Sequence, residues 1–566
     1  MQQESKLSGD RTLIVPPHTG DNVLPNLPFF EKLLRFAHRR PPLLAVRDVN
    51  AGIAKTYLQL LTDALALRGA VRDSLSAQVR SDLDNDKEIY IALIALGGYE
   101  YAVAFTAILA LGAAVVPITT ALPPQEAKLL IERAQCVAII SSSDATATNL
   151  TNNILDALHT KPPHLTISPR LRSTPLDPSN ILISSSPTPN LNSGALVIFT
   201  SGTTGPPKGA VQRRSYITCA AEDVASHYRL TEADTVLHCL PVHHATGIGV
   251  TFLPFLVAGA TIEFRSGSFD SAWVWGRFKR GGISVFSGVP TIYMRLRRYF
   301  EEVVSKLPEE EREGYVVGAR NLRVLLCGTS ALPAPVQRFW TEILGGRQIL
   351  TRYGGTEFHT VLKADINGSS PSNSVGRVSP SVDLKLSPGG EILLKSPLMF
   401  SKYLHDPAAT RAAHDDEGYY KTGDIARREG DNYFILGRAS LDIIKSGGYK
   451  LSALDIEREI LGLEYVSEAM VVGVEDEEFG QRVGAAISPK NGTGGLSLEK
   501  LRGDLRESLA GYKMPTVLRV VKGEIPKSGT GKVQKKILGP RYFPRDWRSD
   551  KEVQVWERWR KPRAKL

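Results

Sequence analysis

The sequence predicts an α/β protein in which parallel sheets are covered by helices and a smaller domain of different character follows. Three observations predict it. The chain has 566 residues, too many for one ordinary core. From about residue 90, helix-like and strand-like apolar runs alternate, the pattern of parallel sheets with helical crossovers. After Gly437 that alternation gives way to a short helix, a strand and a Lys-rich end.

The most apolar stretch, residues 90–118, carries Glu100 between Tyr99 and Tyr101 together with Gly97, Gly98 and Gly112, so it predicts a buried helix followed by a strand, not a bilayer span. Strands are expected at residues 136–140, 196–199 and 322–326. Residues 146–193, rich in Ser, Thr, Pro and Asn, read as loops. Val382, Leu384 and Leu386 alternate with Asp383 and Lys385 and lead through the turn Pro388-Gly389-Gly390 to residues 391–394, a small antiparallel element. A helix over 453–461 and a strand over 469–474 complete the series, with a domain boundary near residue 439 that gives domains 1–438 and 439–566.

Composition excludes several classes. Hydrophobic residues are 42% and charged residues 23%, which is globular and not disordered. The charge of +10 is spread along the chain without the interleaved aromatics or finger spacing of a nucleic-acid binder. Cys136, Cys219, Cys239 and Cys327 form no C-x-x-C pair, so no disulfide framework or zinc site is expected.

The strongest local signal is Thr200-Ser201-Gly202-Thr203-Thr204-Gly205-Pro206-Pro207-Lys208-Gly209 after an apolar strand. Its glycines let backbone N–H groups approach an anion, its hydroxyls donate, and Lys208 adds charge, which is phosphate-binding chemistry. It is not a P-loop, because Gly209 and not a hydroxyl residue follows Lys208. Four more motifs follow in order: Tyr353-Gly354-Gly355-Thr356-Glu357, Tyr420-Lys421-Thr422-Gly423-Asp424, Gly437-Arg438 with the stretch to Lys450, and Pro526-Lys527-Ser528-Gly529-Thr530-Gly531-Lys532.

Together these motifs resemble the adenylate-forming superfamily of acyl-CoA synthetases, luciferases and peptide-synthetase adenylation domains over roughly residues 90–540. The resemblance implies a large N-terminal domain of two doubly wound α/β sheets plus a small β-barrel, then a smaller, mobile α+β C-terminal domain. It implies ATP and CoA as co-substrates and Mg²⁺ as cofactor. Thr200, Ser201, Gly202, Thr203, Thr204, Gly205 and Lys208 would hold the ATP phosphates, and Glu357, with Thr203, would bind the metal. Tyr353 would stack on adenine beside Gly328, Thr329 and Ser330; Asp424 and Arg438 would take the ribose. Lys532, with Thr356 and Glu357, would serve the reacting carboxylate and α-phosphate. Rotation about a hinge at Ser440 would exchange Lys532 for a CoA-binding loop of Gly447, Gly448, Tyr449 and Lys450. Taken alone, Asp424 is equally a turn residue, and Lys532 lies in a lysine run of the kind found on solvated surfaces.

Within the superfamily, the segments beginning at Leu240, Gly288 and Asp442 resemble the malonyl-CoA synthetase group. That implies an acyl pocket with His244, Gly355 and Arg295, whose charge would face a distal carboxylate. Ile292, Leu296, Tyr299 and Phe300 form an apolar stripe with Arg295 at its edge, so Arg295 meets either a substrate carboxylate or water beside the core. His244 is either a pocket residue or a core histidine. Thr246, Gly355 and Cys327-Gly328-Thr329 depart from the group, and Gly355 with Thr246 would enlarge or neutralise the pocket. The expected substrate is a small carboxylic acid such as malonate or methylmalonate, with a short- to medium-chain or aryl monocarboxylate as the alternative. A luciferase-like oxygenase would share every ATP motif; a silent nucleotide-binding protein is disfavoured by the joint presence of Lys208, Glu357, Asp424 and Lys532. The closing Ala564-Lys565-Leu566 resembles a peroxisomal address read by an import receptor.

Overall fold

The computed structural model describes residues 20–200, 207–368, 370–490, 495–528 and 532–556. Two compact units are present: one runs to Ala225 and adds Leu230–Ala233 and Phe252–Ser266, and the other takes Ser226–Arg229, Asp234–Thr251 and the chain from Gly267.

In the first unit, strands lie in the order Lys208–Arg213, Gly194–Thr200, Ala114–Ile118, Tyr90–Ile94, Ala138–Ser141, His164–Thr166. All neighbours are parallel except Lys208–Arg213 on Gly194–Thr200. Tyr90–Ile94 is buried along its whole length, as expected of a strand covered on both faces. The apolar stretch 90–118 is therefore strand, helix Tyr99–Ala110 and strand, and not only helix and strand. Gly97-Gly98 break the run, and Asp48 Oδ2 accepts the Tyr99 amide at 2.9 Å to start the helix. Residues 146–193 are also more ordered than their composition suggests. Ala145–Ala157 is a helix capped by Asp144, which accepts the Ala147 amide, and it buries Ala147, Leu150 and Ile154 on one face.

The second unit holds three sheets. The first has the order Arg377–Val378, His359–Lys363, Leu350–Gly355, Val324–Cys327, Val285–Gly288, Thr235–His238, parallel from Thr235–His238 to Leu350–Gly355. Its core includes Trp275 and Trp340, stacked 5.3 Å apart. The helix Pro290–Glu302 buries Ile292, Leu296 and Phe300 there, as its stripe predicted. In place of the expected β-barrel there is a four-stranded antiparallel sheet, Asp383–Leu386, Glu391–Lys395, Tyr420–Glu429 and Asn432–Arg438, whose outer strands do not pair with each other. Four strands with no pair between the first and the last do not close a barrel. The last sheet runs Tyr449–Ser452, Ile443–Ser446, Gly480–Pro489, Val517–Val520, Val553–Val555, with Val466–Asp476 also on Gly480–Pro489. Helices Ala453–Ile460 and Leu498–Asp504 contribute to the core on one face, and Lys535–Tyr542 to that on the other. Residue 439 falls between the second and third of these sheets.

Among the described residues, no helix is long and apolar enough to cross a membrane. All four cysteines are free.

Candidate active site

In an open parallel sheet, ligands collect beyond the carboxyl ends of the strands, where backbone N–H groups and loop side chains point outward. Gly328-Thr329-Ser330 follows the carboxyl end of Val324–Cys327, Tyr353 to Gly355 form the end of Leu350–Gly355, and His244 follows Thr235–His238. Thr329 has φ +73°, a left-handed conformation costly for a β-branched residue, and its buried hydroxyl lacks a hydrogen-bond partner among the described residues. A strained residue with an orphaned hydroxyl calls for an explanation, and a ligand that supplies the missing partner is one.

Tyr353, Asp424 and Arg438 are brought together. Tyr353 donates its hydroxyl to Asp424 Oδ2 at 2.7 Å, and Arg438 Nε donates to Asp424 Oδ1 at 3.0 Å. Burial raises the Asp424 pKa against the opposing pull of Arg438 and Tyr353; Arg438, despite desolvation, is raised by Asp424. Lys532 joins this group. It is accessible to solvent yet ringed by protein, and desolvation followed by the Arg438 charge lowers its pKa while Asp424 opposes the shift. Glu357 accepts from the Tyr403 hydroxyl at 2.9 Å, and its carbonyl accepts the Phe400 amide at 2.8 Å. No group of three or more metal-ligating side chains occurs among the described residues. A single carboxylate nonetheless suits Mg²⁺, which takes most of its ligands from phosphates and water.

On the acyl side, burial first and then the charges of Lys532 and Arg352 push His244 down to about 4, so its ring is neutral at pH 7. Its Nδ1 accepts the Thr246 amide at 3.2 Å, which leaves Nε2 to carry the proton. Arg352, which the motif reading passed over, is 7% exposed and lies against Gly328. Its buried Nη1 has no hydrogen-bond partner among the described residues, and no carboxylate there pairs with the guanidinium. The available signal was its place on the inward-facing register of a strand, two residues after buried Leu350.

The structure gives the surroundings of two residues expected in the pocket. Arg295 is exposed on the helix surface, its side chain 52% accessible and 4.0 Å from Glu524, which Arg298 also faces at 3.6 Å. Its position one helical turn from buried Ile292 puts it at the edge of the stripe, where a guanidinium reaches water more cheaply than the interior. Gly355 does not enlarge a pocket, because a Cβ there would lie 2.6 Å from the Phe358 ring, which already fills the space.

Thr200 and Lys208 face each other across the antiparallel pair in the first unit, with Thr200 Oγ1 donating to the Lys208 carbonyl at 3.3 Å. Ser201, Gly202, Thr203, Thr204 and Gly205 between them lie outside the described residues, as do Gly529 to Gly531 and Ala564-Lys565-Leu566. Thr356 is partly accessible, Ser330 is exposed, and Ser440 is exposed just beyond Arg438. Gly447 and Gly448, φ +55° and +84°, make the two-residue turn between Ile443–Ser446 and Tyr449–Ser452. Exposed Tyr449 stacks on Tyr512 at 4.6 Å, and Lys450 beside it is also exposed.

Comparison with known proteins gives a consistent result. The model of the AMP-binding enzyme family matches residues 33–404, and that of the AMP-binding enzyme C-terminal domain matches 455–532. The chain is 32% identical to the acyl-CoA ligase oryP of Aspergillus oryzae over 93% of its length and 94% of that protein. It is 32% identical to the mitochondrial malonate–CoA ligase ACSF3 of Xenopus laevis over 89% of its length and 91% of that protein. In fold it is similar to ATP-bound MatB of Rhodopseudomonas palustris, with a TM-score of 0.74 and 24% identity, covering 91% of this chain and 99% of that one.

Proposed function

The chain belongs to the AMP-binding enzyme family and is an AMP-forming acyl-CoA ligase, and from that premise we propose that its acid is a small dicarboxylate such as malonate or methylmalonate. The observation that carries the proposal is the buried guanidinium of Arg352, which meets no carboxylate among the described residues and sits close enough to His244 to depress its pKa. A buried, unpaired cation costs several kcal/mol unless an anion meets it, on the order of magnitude known for buried charges. The second carboxylate of a diacid is such an anion. The name of the Xenopus laevis relative, malonate–CoA ligase, supports the same class.

In the first half-reaction a carboxylate oxygen attacks the α-phosphorus of ATP; the new O–P bond forms as the bond to the bridging oxygen breaks, and pyrophosphate leaves. Two anions meet, so cationic groups are the main catalytic demand. Lys532 beside Arg438 and Asp424 serves the reacting oxygens. The loop of Thr200, Ser201, Gly202, Thr203, Thr204, Gly205 and Lys208 holds the phosphates. Bound Mg²⁺, held by Glu357 with Thr203, would neutralise phosphate charge. Tyr353 and Gly328-Thr329-Ser330 receive adenine, Asp424 and Arg438 the ribose, and Thr356 lies next to the reacting groups.

In the second half-reaction the CoA sulfur attacks the acyl carbonyl; the carbon–oxygen bond to AMP breaks, AMP leaves, and the thiol proton passes to solvent. Domain 439–566 turns about Ser440, taking Lys532 away and bringing Gly447, Gly448, Tyr449 and Lys450 to the pantetheine arm.

The test is AMP release with ATP and CoA across malonate, methylmalonate, propionate, butyrate and benzoate. Highest kcat/KM for the two diacids is expected; preference for any of the monoacids would overturn the substrate assignment.

A further inference from the structure

The helix Lys535–Tyr542 begins three residues after Lys532. The side chain of Lys535, only 12% exposed, donates to Asp442 Oδ1 at 2.6 Å and pairs with Glu457 Oε1 at 2.7 Å. Asp442 spends its other oxygen on the Arg438 amide, 3.0 Å from Oδ2, and its own amide donates to the Arg438 carbonyl at 2.8 Å. Gly437 makes room for this closure, since a Cβ there would lie 2.3 Å from the Asp442 Cβ. Arg438 in turn holds Asp424, which holds Tyr353. On the far side, Glu457 accepts the Val471 amide at 2.7 Å, fixing the cluster to the strand Val466–Asp476. One buried lysine between two carboxylates thus joins the segment just after Lys532 to the segment that carries Arg438.

We propose that Lys535 and Asp442 are positioning residues that hold Lys532 against the Arg438–Asp424 pair for adenylation. Neither touches the reacting atoms. Three residues of chain span about 10 Å at most, so fixing Lys535 confines where the Lys532 ammonium can reach. Misplacing a reacting group by about 1 Å costs about 100-fold in rate, so a tie of this kind is read in kcat and not in nucleotide affinity. Asp442 links the two segments, and Glu457 secures Lys535 when Asp442 changes. The proposal rests on the reading that Lys532 serves the first half-reaction.

The experiment measures malonate-dependent ATP–pyrophosphate exchange and, separately, thioester formation from supplied acyl-adenylate, with thermal unfolding of each variant. Asp442→Asn keeps the shape and leaves Glu457 to neutralise Lys535, so it folds. It is expected to lower exchange kcat about 10- to 100-fold, with KM for ATP little changed and thioester formation retained. Lys535→Met behaves likewise if it folds, and Lys535→Arg recovers most of the rate; should Lys535→Met not fold, Asp442→Asn decides. Exchange at the wild-type rate in Asp442→Asn, or equal loss of both half-reactions, overturns the proposal. Lys532→Ala separates the two levels: if it leaves exchange intact, the assignment of Lys532 fails, whereas loss in Lys532→Ala with none in Asp442→Asn refutes only the tie.

Discussion

Replacing Arg352 by Met removes the buried guanidinium while keeping an unbranched side chain of comparable reach. Because Arg352 is 7% exposed, its pair with a substrate carboxylate is almost fully desolvated, and removing one partner of such a pair costs about 2–5 kcal/mol. Even the lower end is about 30-fold in kcat/KM for malonate. Propionate, of the same length without the second carboxylate, gains or stays level, since the pocket no longer sets a bare cation against its methyl group. The free protein responds in the opposite direction. Removing a buried charge without a partner among the described residues relieves a desolvation penalty, so ligand-free Arg352→Met melts higher than the parent by on the order of 1 kcal/mol or more of stability. Steady-state kinetics with both acids and thermal unfolding without ligand read the two effects. Equal losses for malonate and propionate, or an unchanged preference, would refute the reasoning.

Arg295→Leu leaves the diacid preference within about twofold, because an exposed ion pair such as Arg295–Glu524 is worth about 0–1 kcal/mol; the same acid panel checks it. Thr329→Gly relieves a residue at φ +73° but deletes its buried hydroxyl, so stability holds or rises by about 1 kcal/mol while KM for ATP increases. His238, His243 and His244 are held down to about 3, 4 and 4 by burial, from an ordinary 6.5. The unfolded chain therefore binds more protons than the native one below pH 6.5, so their contribution is complete above that value and is lost as pH falls toward 4, at up to about 1.4 kcal/mol per pH unit for each histidine. Thermal unfolding between pH 7 and pH 4 measures it, with a shallower slope expected in His244→Asn.

The residues expected around a nucleotide were legible because they stand in short motifs with fixed offsets. Tyr353, Asp424 and Arg438, from three separate motifs, are hydrogen-bonded in the structure, and the charges of Arg438 and Asp424 act on Lys532. The acyl side was not, because pocket direction depends on packing that no local pattern encodes. Helical spacing put Arg295 at the border of the stripe, and only the packed helix shows that it turns to Glu524. Gly355 read as missing volume until the Phe358 ring was found in its place. Arg352 carried only the alternation of one strand, a weak signal beside the tyrosine that follows it. The same limit applies to the fold. Apolar periodicity gave the parallel strands, whereas the helix Ala145–Ala157 was hidden by Thr and Asn on its exposed face, which mask the spacing of Ala147, Leu150 and Ile154 and the Asp144 cap.

The most direct test of the account follows an oxygen atom. Malonate labelled with ¹⁸O in its carboxylates is converted with ATP and CoA, and the products are weighed by mass spectrometry. If the acid attacks the α-phosphorus and CoA then displaces AMP from the carbonyl, one labelled oxygen appears in AMP and none in pyrophosphate. Unlabelled AMP, or label in pyrophosphate or inorganic phosphate, would contradict activation through an acyl-adenylate.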